Sequence, residues 1–330
     1  MFPVKAVLCK AYGPPESLVV EDIEPPSPAA GEVVISVKAA SVNFPDVLII
    51  QNKYQFKPSL PFSPGSEVAG VLKAVGDGVT GLKPGDRVMA FTTYGAFAEE
   101  VGTEARRVLA IPNGMSFTQA AAFGLTYATS DFALRDRGAL KPGETLLVLG
   151  AAGGVGIAAI EIGKVLGARV IACASTDEKL AVCREHGADD TINYATDDLR
   201  ERIKQLTNGT GVDVVYDPVG GPYTEPALRS LAWRGRLLVV GFAAGDIPKI
   251  PLNLTLLKGC SIVGVFWGEF TRREPDRFAD AMRQLARWFA DGKINPHVWK
   301  TFPLERAADA LTMMANRQVT GKVVLTTGGV

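Results

Sequence analysis

The chain has 330 residues, 47% of them hydrophobic and 21% charged, a composition that suits a globular enzyme of about two domains. Its 35 basic and 35 acidic residues cancel, which argues against nucleic acid or an anionic membrane surface as partner. No apolar run approaches a membrane span, the start M-F-P-V-K-A-V-L-C-K lacks a secretory pattern, and Cys9, Cys173, Cys183 and Cys260 form no C-x-x-C pair. These features read as a cytoplasmic protein with free thiols.

From Val4 to about Pro112, short runs such as V-K-A-V-L-C, E-V-V-I-S-V-K-A and E-V-A-G-V-L-K-A-V alternate with turn clusters at 25–31, 76–81 and 84–86. They predict a mostly antiparallel, barrel-like β domain. The proline-rich stretch 58–65 cannot donate ladder hydrogen bonds at three positions and reads as a surface or cleft loop. Beyond Pro112 the period changes, and residues 115–137 predict one or two helices.

Residues 145–167, T-L-L-V-L-G-A-A-G-G-V-G-I-A-A-I-E-I-G-K-V-L-G, read as strand, tight turn and helix. The turn carries A-x-G-x-x-G at Ala151, Gly153 and Gly156, with Gly154 and Val155 between them, a dinucleotide fingerprint with alanine in place of its first glycine. Gly153 lets a pyrophosphate approach the backbone, and the helix start offers it unpaired N–H groups. Gly167 is placed as the left-handed residue ending the helix.

Strand 169–174, helices 177–186 and 197–206, strand 213–217, a helix near 222–232 and strands 236–240 and 261–266 follow. The alternation predicts a parallel, doubly wound sheet. Helix 275–290, with Phe278, Met282, Leu285 and Phe289 on one stripe, precedes helix 304–315 and strand 322–326, which returns to the β domain.

With the fingerprint, G-S-E-V-A-G at 65–70, K-P-G-D-R-V at 83–88 and T-G-K-V-V-L at 320–325 resemble the medium-chain dehydrogenase/reductase superfamily over nearly the whole chain. The resemblance implies an α/β fold, a GroES-like β-barrel catalytic domain (1–124 and 267–330) with an inserted Rossmann domain (125–266) and the active site in the cleft between them. Zinc-dependent members place a cysteine and G-H-E where this chain has N-F-P-D at 43–46 and Gly65, Ser66, Glu67. The two histidines, His186 and His297, are not placed to replace these ligands, so no metal is expected.

The N-x-x-D pattern instead resembles the zinc-free quinone oxidoreductase (zeta-crystallin-like) family. That resemblance implies Asn43, Asp46 and Tyr54 around the nicotinamide and substrate, Thr126 beside the nicotinamide, and Gly241 and Phe242 covering the cofactor. The alternative for Asn43 and Asp46 is that they merely cap a turn. The strand after the fingerprint helix ends in Ala174 and Ser175 with no acid before Asp177, and Lys179 lies one helical turn beyond Ser175. A site without a carboxylate tolerates a ribose 2′-phosphate, so NADPH is expected, and the resemblance adds Tyr194 and Arg317 near that phosphate.

Without a Lewis acid, an electron-poor acceptor such as a quinone or enone is the expected small-molecule substrate. A 2-enoyl-CoA reductase stays open because Lys258, Arg272, Arg273 and Arg277 flank the aromatic run of Phe266, Trp267 and Phe270. A non-catalytic NADPH-binding protein also stays open. The resemblance implies a homodimer, for which the apolar last strand of the nucleotide sheet is a candidate edge.

Overall fold

The computed structural model describes residues 2–328. The chain divides into two compact units: residues up to 125 together with those from 296 on, and residues 126–295.

The first unit opens with β1 (Val4–Leu8) and β2 (Val19–Ile23), an antiparallel pair. It continues with β3 (Glu32–Val42), α1 (Phe44–Ile49), β4 (Glu67–Val75), β5 (Arg87–Phe91), β6 (Glu100–Glu104) and β7 (Val108–Ala110). The division into units falls inside α2 (Phe117–Asp131), which runs on as a π-helical turn, Phe132–Arg137.

In the second unit come β8 (Thr145–Val148), α3 (Gly154–Val165), β9 (Arg169–Ala174), α4 (Asp177–Glu185), β10 (Asp190–Asn193), α5 (Leu199–Leu206) and β11 (Val212–Asp217). They are followed by α6 (Thr224–Arg229), β12 (Leu231–Val239), α7 (Asn253–Lys258), β13 (Ser261–Gly264), α8 (Trp267–Arg273) and α9 (Pro275–Ala290). The chain then re-enters the first unit with β14 (Val298–Pro303), α10 (Ala307–Ala315) and β15 (Lys322–Thr326).

The sheet of the first unit runs β14-β15-β3-β4-β5-β7, with β6 on β3. The 11 residues of β3 let it pair β6 near its start and β15 near its end, a wrap that encloses a core of Val33, Ile35, Val37, Val68, Leu72, Phe97 and Leu325. In the second unit the order β10-β9-β8-β11-β12-β13 is parallel throughout. Its central strands are apolar on both faces because helices cover both.

Two differences from the sequence reading concern boundaries. Helices α8 and α9, residues 267–290, belong to the second unit, whereas the resemblance had placed them with the catalytic domain. Phe270 stacks on Phe132 at 4.2 Å, and Arg135 lies over the Trp288 ring. Trp288, rather than Phe289, takes the buried place on α9 beside Met282 and Leu285. The helix expected near 222–232 is only α6, because Gly220 and Gly221 take positive φ and Leu231 already starts β12. Short strands β10 and β14 and helices α1 and α7 had no sequence counterpart; each has six residues or fewer, too few to show a period.

Candidate functional site

The fingerprint turn lies between β8 and α3. Gly150 takes φ +58, the Ala151 N–H donates to the Cys173 carbonyl at 2.9 Å, and the Gly153 N–H closes a turn onto the Gly150 carbonyl at 3.0 Å. The positive-φ duty of the missing first glycine thus falls to Gly150, one residue earlier, which leaves Ala151 free to be a buried alanine. Gly153 is the N-cap of α3, and Gly154, Val155 and Gly156 form its first turn. A Cβ on Gly156 would stand 2.5 Å from the Gly150 carbonyl oxygen and 2.6 Å from that of Ala151. Gly156 thus lets α3 pack closely on the chain leaving β8, as the fingerprint predicts, and Gly163 continues that approach along the helix, where a Cβ would meet Leu146 at 2.8 Å. The Ser130 hydroxyl donates to the Val155 carbonyl at 2.9 Å and fixes this turn from α2.

At the end of β9, Ser175 is half-buried, and Thr176 caps α4 by accepting the Lys179 N–H at 3.3 Å. Burial pulls the Lys179 ammonium pKa down. Tyr194 donates its N–H to the Ala174 carbonyl at 3.1 Å, and its ring lies 4.3 Å from that of Tyr223. The structure therefore gathers Ser175, Lys179 and Tyr194 at the carboxyl end of β9 and β10. The Asp177 carboxylate, the acid nearest Ser175 in sequence, accepts the Asn193 amide at 3.0 Å.

Beyond β12, Gly241 donates its N–H to the Asp217 carbonyl at 3.3 Å, and Phe242 is partly exposed against Gly220. The sequence reading missed what shapes this edge. Buried Asp217 accepts the N–H groups of Val219 (2.9 Å) and Gly220 (2.8 Å) and the Thr224 hydroxyl (2.6 Å), folding the loop after β11. Its signal was an acid directly after the apolar run Val214 to Tyr216 of β11. Thr126 is buried at the start of the second unit, while Arg317 belongs to the first, just after α10, at φ +57.

The first unit holds a second polar centre. Val324 of β15 pairs Ser41 of β3, and Ala40 pairs Val68 of β4, so Lys322, Ser41, Asn43 and Glu67 converge where the three strands meet. Asp46, on the first turn of α1, accepts the Asn43 N–H at 2.7 Å. The Asn43 amide donates to the Ser41 hydroxyl at 3.1 Å, and its carbonyl oxygen accepts from Lys322 Nζ at 2.5 Å. Glu67 accepts the Ser41 hydroxyl at 2.6 Å and the Leu125 N–H at 2.7 Å, and Lys322 Nζ lies 3.7 Å from it.

Every charge here is buried: Asp46 is 3% exposed, Glu67 1% and Lys322 4%. Burial raises the Asp46 carboxyl pKa to about 7, against hydrogen bonds from Asn43 and Gly65 and the Lys322 charge. Tyr54, half-buried against the barrel core, has its phenol pKa pushed up by burial and by Asp46. The centre can hold a proton near neutrality.

Of the two readings of Asn43 and Asp46 the cap is seen, since Asp46 closes the first turn of α1, and both residues also join a charged centre. Glu67 and Lys322 were legible only as motif letters; the clue was a charge opening an apolar run, E-V-A-G-V-L and K-V-V-L. Gly65 sits at φ +86, where a Cβ would strike Phe97 at 2.4 Å.

A model of the alcohol dehydrogenase GroES-like domain matches residues 29–113, and a model of the zinc-binding dehydrogenase matches residues 154–287. The chain is 39% identical over 327 residues to the quinone oxidoreductase-like protein 2 homolog of Nematostella vectensis, covering 98% of this chain and 89% of that protein. The chain belongs to the quinone oxidoreductase family of the medium-chain dehydrogenase/reductases. The Escherichia coli quinone oxidoreductase complexed with NADPH is 32% identical, with a TM-score of 0.92 over 98% of this chain and 99% of that one. The CurK enoyl reductase is 28% identical, with a TM-score of 0.90 over 99% of this chain and 100% of that one.

Family membership raises the question of zinc. The polar centre of the first unit offers two carboxylates, an amide and a hydroxyl around an ammonium, with neither cysteine nor histidine among them. That donor set does not fit a tetrahedral zinc ion.

The cations offered for coenzyme A are occupied. Lys258 donates to the Arg229 carbonyl at 2.8 Å, Arg272 and Arg273 both pair with Glu269 at 2.7 Å, and Arg277 pairs with Glu274 and Asp136. Among the described residues no helix is long and apolar enough to cross a membrane.

Proposed function

We propose that this chain is an NADPH-dependent reductase of quinones or similar conjugated carbonyl compounds, working without a metal. The observation that carries the reading is the carboxyl end of β9, where half-buried Ser175 and Lys179 stand in place of a ribose-binding acid. The glycine turn supplies the pyrophosphate cradle through the N–H groups at the start of α3, which Gly156 lets sit tight against the Gly150 and Ala151 carbonyls. A relative of the same fold is complexed with NADPH.

When bound, NADPH supplies a hydride, and the residues of this chain position the acceptor and manage the proton. In this reading Ser175, Lys179, Tyr194 and Arg317 meet the 2′-phosphate. Ala151, Gly153, Gly154, Val155 and Gly156 carry the pyrophosphate, and Thr126, Gly241 and Phe242 border the nicotinamide. Asn43, Asp46 and Tyr54 border the acceptor, with Asp46 holding the proton that reduction consumes. The electron-poor acceptor needs no Lewis acid.

A second reading, reduction of a conjugated C=C bond, is favoured by the likeness to an enoyl reductase. Oxidation of NADPH and NADH followed with an ortho-quinone, a simple enone and crotonyl-CoA separates the two. Turnover of the quinone with NADPH is expected; turnover of crotonyl-CoA alone would move the assignment to the second reading, and tight NADPH binding with no turnover would make the chain a non-catalytic binder.

We also assign a homodimer, formed through the open edge of β13, and a cytoplasmic location, which suits four free thiols.

A further inference from the structure

Lys322 opens β15 and points its ammonium into the centre around Asn43. Its Nζ lies 2.5 Å from Asn43 Oδ1, 3.4 Å from the Val42 carbonyl and 3.7 Å from Glu67 Oε2. A buried ammonium costs about as much in desolvation as a close pair returns, so a lysine whose only task was to join two strands would be better replaced by an apolar residue. Two consequences of its charge are visible instead.

The first concerns the Asn43 amide. An ammonium has no acceptor, so the amide must turn its oxygen to Lys322, and its nitrogen is then committed to Ser41. The second concerns Asp46. The groups that face it are Lys322 from β15, Glu67 from β4, the Asn43 and Gly65 N–H groups, and Tyr54 beyond α1. Among them Lys322 alone is cationic, set against two carboxylates.

We infer that Lys322 is a positioning residue of this centre, whose buried ammonium orients the Asn43 amide and supplies the positive charge against which Asp46 ionises. The inference rests on the assignment of Asn43 and Asp46 to the reacting centre. It gives the T-G-K-V-V-L segment a chemical task at a centre that holds no metal-ligand set.

The test uses the whole protein and two readouts. The first is the carboxyl carbon resonance of Asp46, identified by its loss in Asp46→Asn, followed through a pH titration without substrate. The second is the pH profile of NADPH oxidation with an ortho-quinone. In Lys322→Met the Asp46 midpoint is expected to rise by about one pH unit or more, a factor of ten in its ionisation. The activity profile is expected to move the same way, and Lys322→Arg to restore both.

Should Lys322→Met fail to fold, Lys322→Gln, which keeps a donor for Asn43 without the charge, is expected to show the same rise. An unmoved Asp46 midpoint in either folded neutral variant would overturn the inference. A displaced midpoint in a protein that reduces no quinone supports the inference and counts against the proposed function, so the two failures are distinct.

Discussion

Asp46 turns its carboxylate back onto the N–H of Asn43 at 2.7 Å, closing the first turn of α1 with a group that is itself almost wholly buried. Its carboxyl pKa stands at about 7 in the folded chain, against an ordinary 3.8. Between those values the folded state binds a proton that the unfolded state releases, so stability is fully present below pH ~4 and declines as pH rises through about 7. At ~1.4 kcal/mol per unit the shift of about three units corresponds to at most ~4 kcal/mol. Asp46→Asn removes this titration. Urea unfolding of both proteins at acid and alkaline pH should show the variant gaining on the parent as pH rises; a constant difference would refute the assignment of the shift to Asp46.

Gly156 lies closer to backbone than any side chain allows, since a Cβ added there would fall 2.5 Å from the Gly150 carbonyl oxygen. Because the obstacle is backbone, Gly156→Ala must push α3 off the turn. NADPH affinity, read by cofactor fluorescence, is expected to fall by at least about tenfold, the scale of ~1.4 kcal/mol. Gly268→Ala, whose Cβ would make an ordinary 3.6 Å contact in α8, is the matched control and should bind as the parent does. Equal binding by both variants would remove the turn from the cofactor site.

The choice between the two nicotinamide cofactors turns on Ser175. A carboxylate introduced there by Ser175→Asp would stand where a 2′-phosphate is proposed and would repel it, while offering an acceptor to a ribose 2′-hydroxyl. The expected result is NADPH affinity lowered by ~10-fold or more, on the order of 1–2 kcal/mol for like charges near a surface, with NADH affinity held or improved. If the variant keeps the preference of the parent, the phosphate is recognised elsewhere.

Sequence periodicity carried the long elements well: α9 and β15 fall where the apolar spacing predicts, and Gly167 ends α3 at φ +82. The fingerprint was legible because its glycines are adjacent in the chain. The charged centre was not, because its members come from β3, α1, β4 and β15, and only strand register makes neighbours of Ser41, Glu67 and Lys322. Short elements escaped for a different reason. A four-residue strand such as β10 is defined by the neighbour it pairs with, Ile192 opposite Cys173, and not by any pattern of its own.

The edge of the six-stranded sheet gives the last prediction. Among the described residues β13 pairs only with β12, its Ile262 is 38% exposed, and Leu256 and Leu257 of nearby α7 are largely exposed as well. An open strand with apolar residues beside it invites a second copy in antiparallel register about a two-fold axis. A lysine on such an edge opposes pairing, because the like charges of two copies would meet across the axis. Sedimentation of the parent protein at micromolar concentration should give a dimer. Ile262→Lys should sediment as a monomer with unchanged NADPH affinity, since the fingerprint turn lies on β8, three strands away in the sheet. A monomeric parent would leave β13 as an edge kept open, and a dimeric variant would place the interface on another surface.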